Sequence, residues 1–306
     1  METRSAENRL HFSGSADFTG TGLRYLEGLS QLEELGISNA MAFTGQGLEY
    51  LAPLSGVRKL TISGANVLGE SLVHLTGLQG LKELHIWDTP LEEIGVQRIG
   101  ELKQLERLAI QHSNLLDEHL KYLTGLTQLR QLELRENGIS DEGMVHLAKL
   151  PSLQQIDVSS TFVSDGSQAK LQSTMPETRR RAGVFNDMNI AREQKVERST
   201  QTSEYMRTAR EIIRAGAGVW PEQSWSNVCL FCNWSGGDEK LALLEQLGNV
   251  RGVFVKAPIT DTAIPYLRKL TQVEVIRLDN ARISDAGVEE LKQALPNARV
   301  LRPEDF

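Results

Sequence analysis

Apolar residues recur along this chain in a block of 24 residues. The block Leu132–Gln155 carries aliphatic residues or methionine at seven positions, and the two preceding blocks fill the same seven columns with aliphatic residues. Leu132 and Leu134 are two residues apart, as in a strand with one buried face. From Met144 to Leu147 the spacing is three, which predicts a short helix or 3₁₀ turn. Each block is therefore predicted to be one strand followed by one short helix.

A polar turn separates the predicted strand from the predicted helix. Its pattern is Ser or Thr, then Asp, and it begins at Ser140, Thr260 and Ser284. A polar side chain just before a helix accepts hydrogen bonds from the backbone N–H groups of the first turn. The copies begin at Leu10, Leu35, Leu60, Leu84, Leu108, Leu132, Ile156, Val228, Val253 and Ile276. Such a period predicts stacked units, each in contact with its neighbours.

The pattern L-x-x-L-x-L, followed by I-[ST]-D-x-G-[LV]-x-x-L, resembles the leucine-rich-repeat superfamily. The repeats are most similar to those of F-box leucine-rich-repeat proteins and bacterial intracellular repeat proteins, and Leu295–Val300 resembles the last repeat of the bacterial members. The resemblance implies an α/β fold: one right-handed leucine-rich-repeat solenoid, curved, with a parallel sheet on the concave side and helices on the convex side. It also implies a scaffold for protein recognition. An F-box is longer than the nine residues before Leu10, so no ubiquitin-ligase adaptor role is expected.

The repeat pattern is interrupted after the seventh copy. The predicted organisation is a polar tail at 1–9, seven repeats at 10–175, a helical insertion at 176–227 and three repeats with the C-terminal end at 228–306. Between Pro176 and Ala215 there are nine Lys and Arg residues against six Asp and Glu, inside a chain whose net charge is −7. The insertion is therefore predicted to be basic.

Part of the insertion has helical spacing. Tyr205, Ala209 and Ile212 lie three or four residues apart, as do Met206 and Ile213, which predicts an amphipathic helix that ends at 216–218. Trp220 and Trp225 are expected on a loop. Two roles remain open: a helix that packs back onto the repeats, or an element that binds a partner or regulates binding. The predicted contacts of this helix involve Tyr205, Met206, Ile212 and Ile213 on the helix, and Phe231 and Phe254 on later strands.

The outward positions of the predicted strands form a candidate binding surface. In the first three copies they are mostly small and polar, whereas the next copies combine mixed charges with one tryptophan. Trp and Arg dominate interface energetics. The tryptophan is expected to be covered, either by a partner or by the insertion helix. The predicted partner-binding residues are His85, Trp87, Asp88, Gln111, His112, Glu133, Arg135, Glu136 and Asp157.

No catalytic residue, metal site or cofactor is predicted. Cys229 and Cys232 form a C-x-x-C pair, but Cys229 is expected to face outward on a strand, without the helix N-terminus that lowers a thiol pKa. Zinc would need two further ligands, and the chain has only two cysteines. His85, Asp88 and His112 are expected to approach one another on adjacent strands, as part of a polar recognition surface.

The composition limits the other functions. A net charge of −7 argues against nucleic acid as the main partner. There is no secretory signal and no apolar run long enough to cross a membrane, so a cytoplasmic location is expected. The predicted function is a non-enzymatic protein-binding scaffold or adaptor that uses the concave face, aided or gated by the insertion. Two alternatives remain open: an inhibitor or regulatory subunit of an enzyme, and a nucleic-acid-associated protein that uses the basic insertion.

Overall fold

A computed structural model describes residues 8–13, 18–174, 203–221, 226–230, 234–248 and 250–305. These residues divide into two compact units. The first unit contains the described residues up to 135, with 139–159 and 163–174. The second contains those from 203 onwards, with the short stretches 136–138 and 160–162.

Seven parallel strands form the sheet of the first unit, and they follow one another in chain order. They are β1 (Arg9–Ser13), β2 (Glu34–Ser38), β3 (Lys59–Ser63), β4 (Glu83–Trp87), β5 (Arg107–Gln111), β6 (Gln131–Glu133) and β7 (Gln155–Asp157). The register aligns the first apolar residue of every repeat, from Leu10 through Leu35, Leu60, Leu84, Leu108 and Leu132 to Ile156. The seven repeat starts predicted from the sequence are confirmed.

Short helical elements form the second layer of this unit. Four are 3₁₀ helices, at Thr21–Leu26, Leu48–Leu51, Gly69–Gly77 and Asp117–Gly125. Three are α-helices: α1 (Glu93–Ile99), α2 (Met144–Leu147) and α3 (Asp165–Thr174). Their aliphatic columns and those of the strands form one continuous core. Each fully buried leucine in it contributes roughly 1.5–3 kcal/mol.

The residue four positions after the start of a repeat extends the hydrogen bonding of the sheet in the second to fifth repeats. Positive φ angles occur in this column at Asn39, Gly64, Asp88, His112, Glu136 and Ser160. The N–H groups of Gly64, Asp88 and His112 donate to the carbonyls of Trp87 (3.0 Å), Gln111 (3.1 Å) and Arg135 (3.1 Å). The turn is thereby fixed to the neighbouring repeat, although a positive φ is unfavourable for residues other than glycine.

An aspartate of one repeat binds a serine of the next. Asp117 Oδ1 accepts the backbone N–H of Ser140 at 2.7 Å, and Asp117 Oδ2 accepts the Ser140 hydroxyl at 2.7 Å. The same two bonds join Asp141 to Ser164, both at 2.8 Å, and Asp261 to Ser284, both at 2.7 Å. We call this arrangement the Asp–Ser clamp. It links repeats through side chains, in addition to the sheet.

At two of the three clamps the aspartate lies close to the glycine of the sequence pattern, whereas Ser167 occupies this position at the Asp141–Ser164 clamp. A Cβ atom on Gly143 would lie 2.5 Å from Asp117 Oδ1, and one on Gly287 would lie 2.7 Å from Asp261 Oδ1. The predicted helix-capping role of the serine is confirmed at Ser284, whose hydroxyl accepts the Gly287 N–H at 3.1 Å. The serine therefore serves its own helix and the preceding repeat together.

The second unit has a five-stranded sheet in the order β12-β11-β10-β9-β8. Its strands are β8 (Ala217–Pro221), β9 (Ser226–Leu230), β10 (Val250–Val255), β11 (Val275–Leu278) and β12 (Arg299–Leu301). Strands β9 to β12 are parallel, with Val228, Val253, Ile276 and Val300 in register. The α-helices are α4 (Ser203–Arg214), α5 (Ala242–Gln246), α6 (Ile264–Leu267) and α7 (Asp285–Ala294), and the 3₁₀ helices are Asp238–Leu241, Asp261–Ala263 and Pro303–Asp305.

The structure adds a strand to the stretch that was predicted to be a helical insertion at 176–227. The described strands form two separate sheets, and β8, which pairs antiparallel with β9, lies within the stretch assigned to the insertion. Trp220 is thus in a strand and not in a loop. Cys229, which was expected to face outward, is fully buried. It pairs with Gly218 of β8, and Phe254 packs against it.

Candidate functional site

The sheet of the first unit presents one tryptophan among polar side chains. We define the Trp87 face as the outward side chains of β4–β7 and of the residues that follow these strands: His85, Trp87, Asp88, Gln111, His112, Glu133, Arg135 and Asp157. All are half-buried except Trp87, which is 38% exposed. The first unit therefore brings together eight of the nine predicted partner-binding residues. The ninth, Glu136, is half-buried, has φ of 56°, and is grouped with the second unit.

Trp87 is held firmly by its backbone. Its carbonyl accepts the N–H of Gly64 at 3.0 Å and the hydroxyl of Thr89 at 2.9 Å. The His85 ring lies beside the indole, with ring centroids 5.5 Å apart and planes inclined by 31°. An exposed indole in such a frame loses little freedom when a partner covers it.

Small residues adjoin Trp87 on one side of the sheet. Ser63 is its partner on β3, Ser38 is opposite Ser63 on β2, and their hydroxyls are hydrogen-bonded at 2.9 Å. On the other side the partner of Trp87 is the longer Gln111 on β5. The indole therefore stands at the border between a low serine row and a row of long polar side chains.

The long polar side chains of the Trp87 face are joined across the strands. His112 Nδ1 lies 2.9 Å from Asp88 Oδ1, which confirms the predicted approach of these two residues. Gln111 Nε2 donates to Glu133 Oε2 at 2.7 Å, and Arg135 Nε lies 3.6 Å from Asp157 Oδ2. Each such contact near the surface contributes at most about 1 kcal/mol. Their main effect is to fix the positions of the charged groups.

His85 is uncharged at neutral pH. The pKa of its imidazole is lowered from the ordinary value of 6.5, chiefly by burial and then by the positive charge of Lys59. Arg107 lowers this pKa further, whereas Glu83 raises it. The ring beside Trp87 is therefore a neutral aromatic surface, and it adds no positive charge to the face.

Negative charge predominates on the Trp87 face. Its carboxylates are Asp88, Glu133 and Asp157, against the single guanidinium of Arg135. By contrast, the signs alternate along the row of strand starts, and the pairs Arg9–Glu34 (2.8 Å) and Glu83–Arg107 (3.7 Å) neutralise each other. The excess of carboxylate thus lies near Trp87.

Helix α4 corresponds to the helix that was predicted within the insertion. Ile212 and Ile213 are buried, and α4 makes its main contacts with β8 and α5. Phe254 packs against Cys229 of β9. Tyr205 meets Phe162 edge-on at 6.0 Å. Phe231, the side chain of Met206 and residues 175–202 lie outside the described residues.

Within the described ranges there is no group of three His, Cys, Asp or Glu side chains that could hold a metal ion. Nor does a helix in these ranges have the length and apolar character needed to cross a membrane.

The aligned leucines, the parallel strands and the helical second layer decide the fold. It is a leucine-rich-repeat solenoid. Among solved structures, the chain is similar to an internalin (inlF) from Listeria monocytogenes, with 14% identity, a TM-score of 0.37 and coverage of 91% of this chain and 63% of the internalin. A second Listeria monocytogenes internalin (inlC2) is 20% identical, with a TM-score of 0.35 and coverage of 49% of this chain and 70% of its own.

This leucine-rich-repeat chain spans less than two thirds of the length of the first of these internalins. No protein-family model matches its sequence, and no curated protein matches it either.

Proposed function

We propose that this protein is a non-enzymatic scaffold that binds a protein partner on the Trp87 face. The observation that carries the proposal is the exposed indole of Trp87 on a strand whose neighbours are joined by hydrogen bonds. Exposed tryptophan and arginine side chains are the groups that contribute most to interface affinity. A sheet that already holds them in place reduces the entropy lost on binding.

The test is affinity capture from an extract of the source cells with three baits. They are the intact chain, the double variant Trp87→Ala/Arg135→Glu and the control Tyr25→Ala. Tyr25 suits the control because it is an exposed aromatic residue, at 75%, in a 3₁₀ helix of the same unit. A partner retained by the intact chain and the control, but lost with the double variant, would support the proposal. A partner that all three baits retain equally would contradict it.

A further inference from the structure

The surroundings of Trp87 indicate which chemistry its partner presents. Beside Trp87 in the sheet stand the short side chains of Ser63 and then Ser38. Asp88 follows Trp87 directly in the chain, and its carboxylate lies 2.9 Å from His112 Nδ1 of the next repeat. An aromatic ring with an adjacent carboxylate is a favourable setting for a planar cation.

The charge balance points to the same class of group. The Trp87 face carries three carboxylates and one guanidinium, and its His85 is neutral. Such a surface repels nucleic-acid phosphates and anionic lipid headgroups, and it attracts cationic segments of proteins. Asp88 contacts His112 at 2.9 Å, so a bound guanidinium would share this carboxylate with the histidine.

We propose that the Trp87 face binds an arginine-bearing segment of a protein partner, with the guanidinium stacked on Trp87 and hydrogen-bonded to Asp88. The inference rests on the proposed scaffold function of the same surface. Arginine fits better than lysine because its guanidinium is planar, stacks on aromatic rings and donates in a fork that matches a carboxylate.

The direct test measures the affinity of short labelled peptides for the full chain by fluorescence anisotropy. Four peptides share a Gly-Ser spacer and differ in one repeated residue: arginine, lysine, citrulline or glutamate. Citrulline keeps the shape of arginine without its charge. We expect the arginine peptide to bind most tightly, the lysine peptide more weakly, and the citrulline and glutamate peptides very weakly. Binding should weaken as salt is added, since the carboxylates lie near the surface.

Variants then assign the binding to the proposed groups. Trp87→Ala should weaken the arginine peptide about tenfold, the order expected for a partly desolvated cation–π contact. Trp87→Phe should weaken it less, and Asp88→Asn should weaken it severalfold without changing the thermal melting curve. Tyr25→Ala, which changes an exposed aromatic residue elsewhere in the unit, should have no effect.

Several results would overturn the inference. They are equal binding of the arginine and glutamate peptides, unchanged arginine binding in a folded Trp87→Ala variant, or tighter binding of a labelled oligonucleotide to the same face. Suppose that a partner is captured in a Trp87-dependent way while the arginine peptide fails to bind. In that case the proposal of arginine recognition is wrong and the scaffold function stands. If Trp87-dependent arginine binding occurs but no partner is captured, the scaffold function fails and arginine recognition stands.

Discussion

Replacing Asp117 with alanine should destabilise the first unit strongly. The change removes the acceptor for two hydrogen bonds of 2.7 Å, from the backbone N–H and the hydroxyl of Ser140. Both residues are buried, with Ser140 only 7% exposed, so water cannot readily replace the carboxylate. A hydrogen bond to a charged group contributes about 1.5–3 kcal/mol, and removing the buried charge recovers part of that. We therefore expect a loss of about 3 kcal/mol in the free energy of unfolding, a large share of the roughly 5–15 kcal/mol that holds a domain together.

The assay must report on the first unit alone. Among the described residues, Trp87 is the one tryptophan in this unit's sheet, and a background with Trp220, Trp225 and Trp234 changed to phenylalanine leaves its fluorescence as the probe. Urea titrations of Asp117→Ala in this background give the change in the free energy of unfolding. Ser140→Ala keeps the backbone N–H and removes the hydroxyl, which donates to Asp117 and accepts the Glu142 N–H at 3.4 Å; it should cost about 1 kcal/mol.

Gly143 provides a sharper check on the reasoning. Its φ of −70° is helical, so alanine would by itself favour the helix by about 1 kcal/mol. In the intact chain, however, the new Cβ would lie 2.5 Å from Asp117 Oδ1. Gly143→Ala should therefore destabilise the intact chain and stabilise the Asp117→Ala variant. A cost below about 1 kcal/mol for Asp117→Ala, or the same effect of Gly143→Ala in both backgrounds, would refute the clamp.

Three further predictions concern other parts of the first unit. Because the pKa of His85 is lowered in the folded chain, the unfolded chain binds a proton more readily, and the free energy of unfolding should fall as pH drops below 6.5. His85→Gln should flatten this dependence of stability on pH, measured by urea titrations. Equal pH dependence in the two chains would contradict the prediction. Gly64, at φ +59°, should accept asparagine with little loss but lose about 1–2 kcal/mol on Gly64→Val, seen as a lower melting temperature, because β-branched residues disfavour positive φ; equal melting temperatures would contradict it. Leu84→Ala, at a fully buried position, should cost about 2–5 kcal/mol by urea titration, whereas the exposed Leu68→Ala should cost much less.

The main features of the fold were predictable because burial imposes the same columns on every repeat. Leu10 to Ile156 align in the sheet as the 24-residue period requires. Strand β8 was not predictable, since its sequence Ala-Gly-Val-Trp-Pro has the composition of a loop and becomes a strand only by pairing with β9. The same hairpin buries Cys229, which alternation along a single strand places outward.

The placement of the Trp87 face on the sheet was predictable from the repeat, but its side-chain contacts were predictable only in part. Asp88 and His112 are one period apart, so their approach follows from the repeat. The contacts Gln111–Glu133 and Arg135–Asp157 join residues 22 apart, and side-chain rotamers select these diagonal partners. The Asp–Ser clamp joins residues 23 apart, one fewer than the period, and a comparison of equivalent columns does not find it.

The clamp also determines where a repeat can change its length. Its two residues are 23 apart in both units, although the strands it spans are 24 apart at Leu108–Leu132 and 23 apart at Val253–Ile276. The difference lies before the aspartate, since Asp117 follows Leu108 by nine residues and Asp261 follows Val253 by eight. Insertions and deletions are therefore expected to accumulate between a strand and its aspartate, and to be excluded between that aspartate and the next serine. The clamp thus fixes the number of residues from each aspartate to the next serine, while the turn before the aspartate can vary in length.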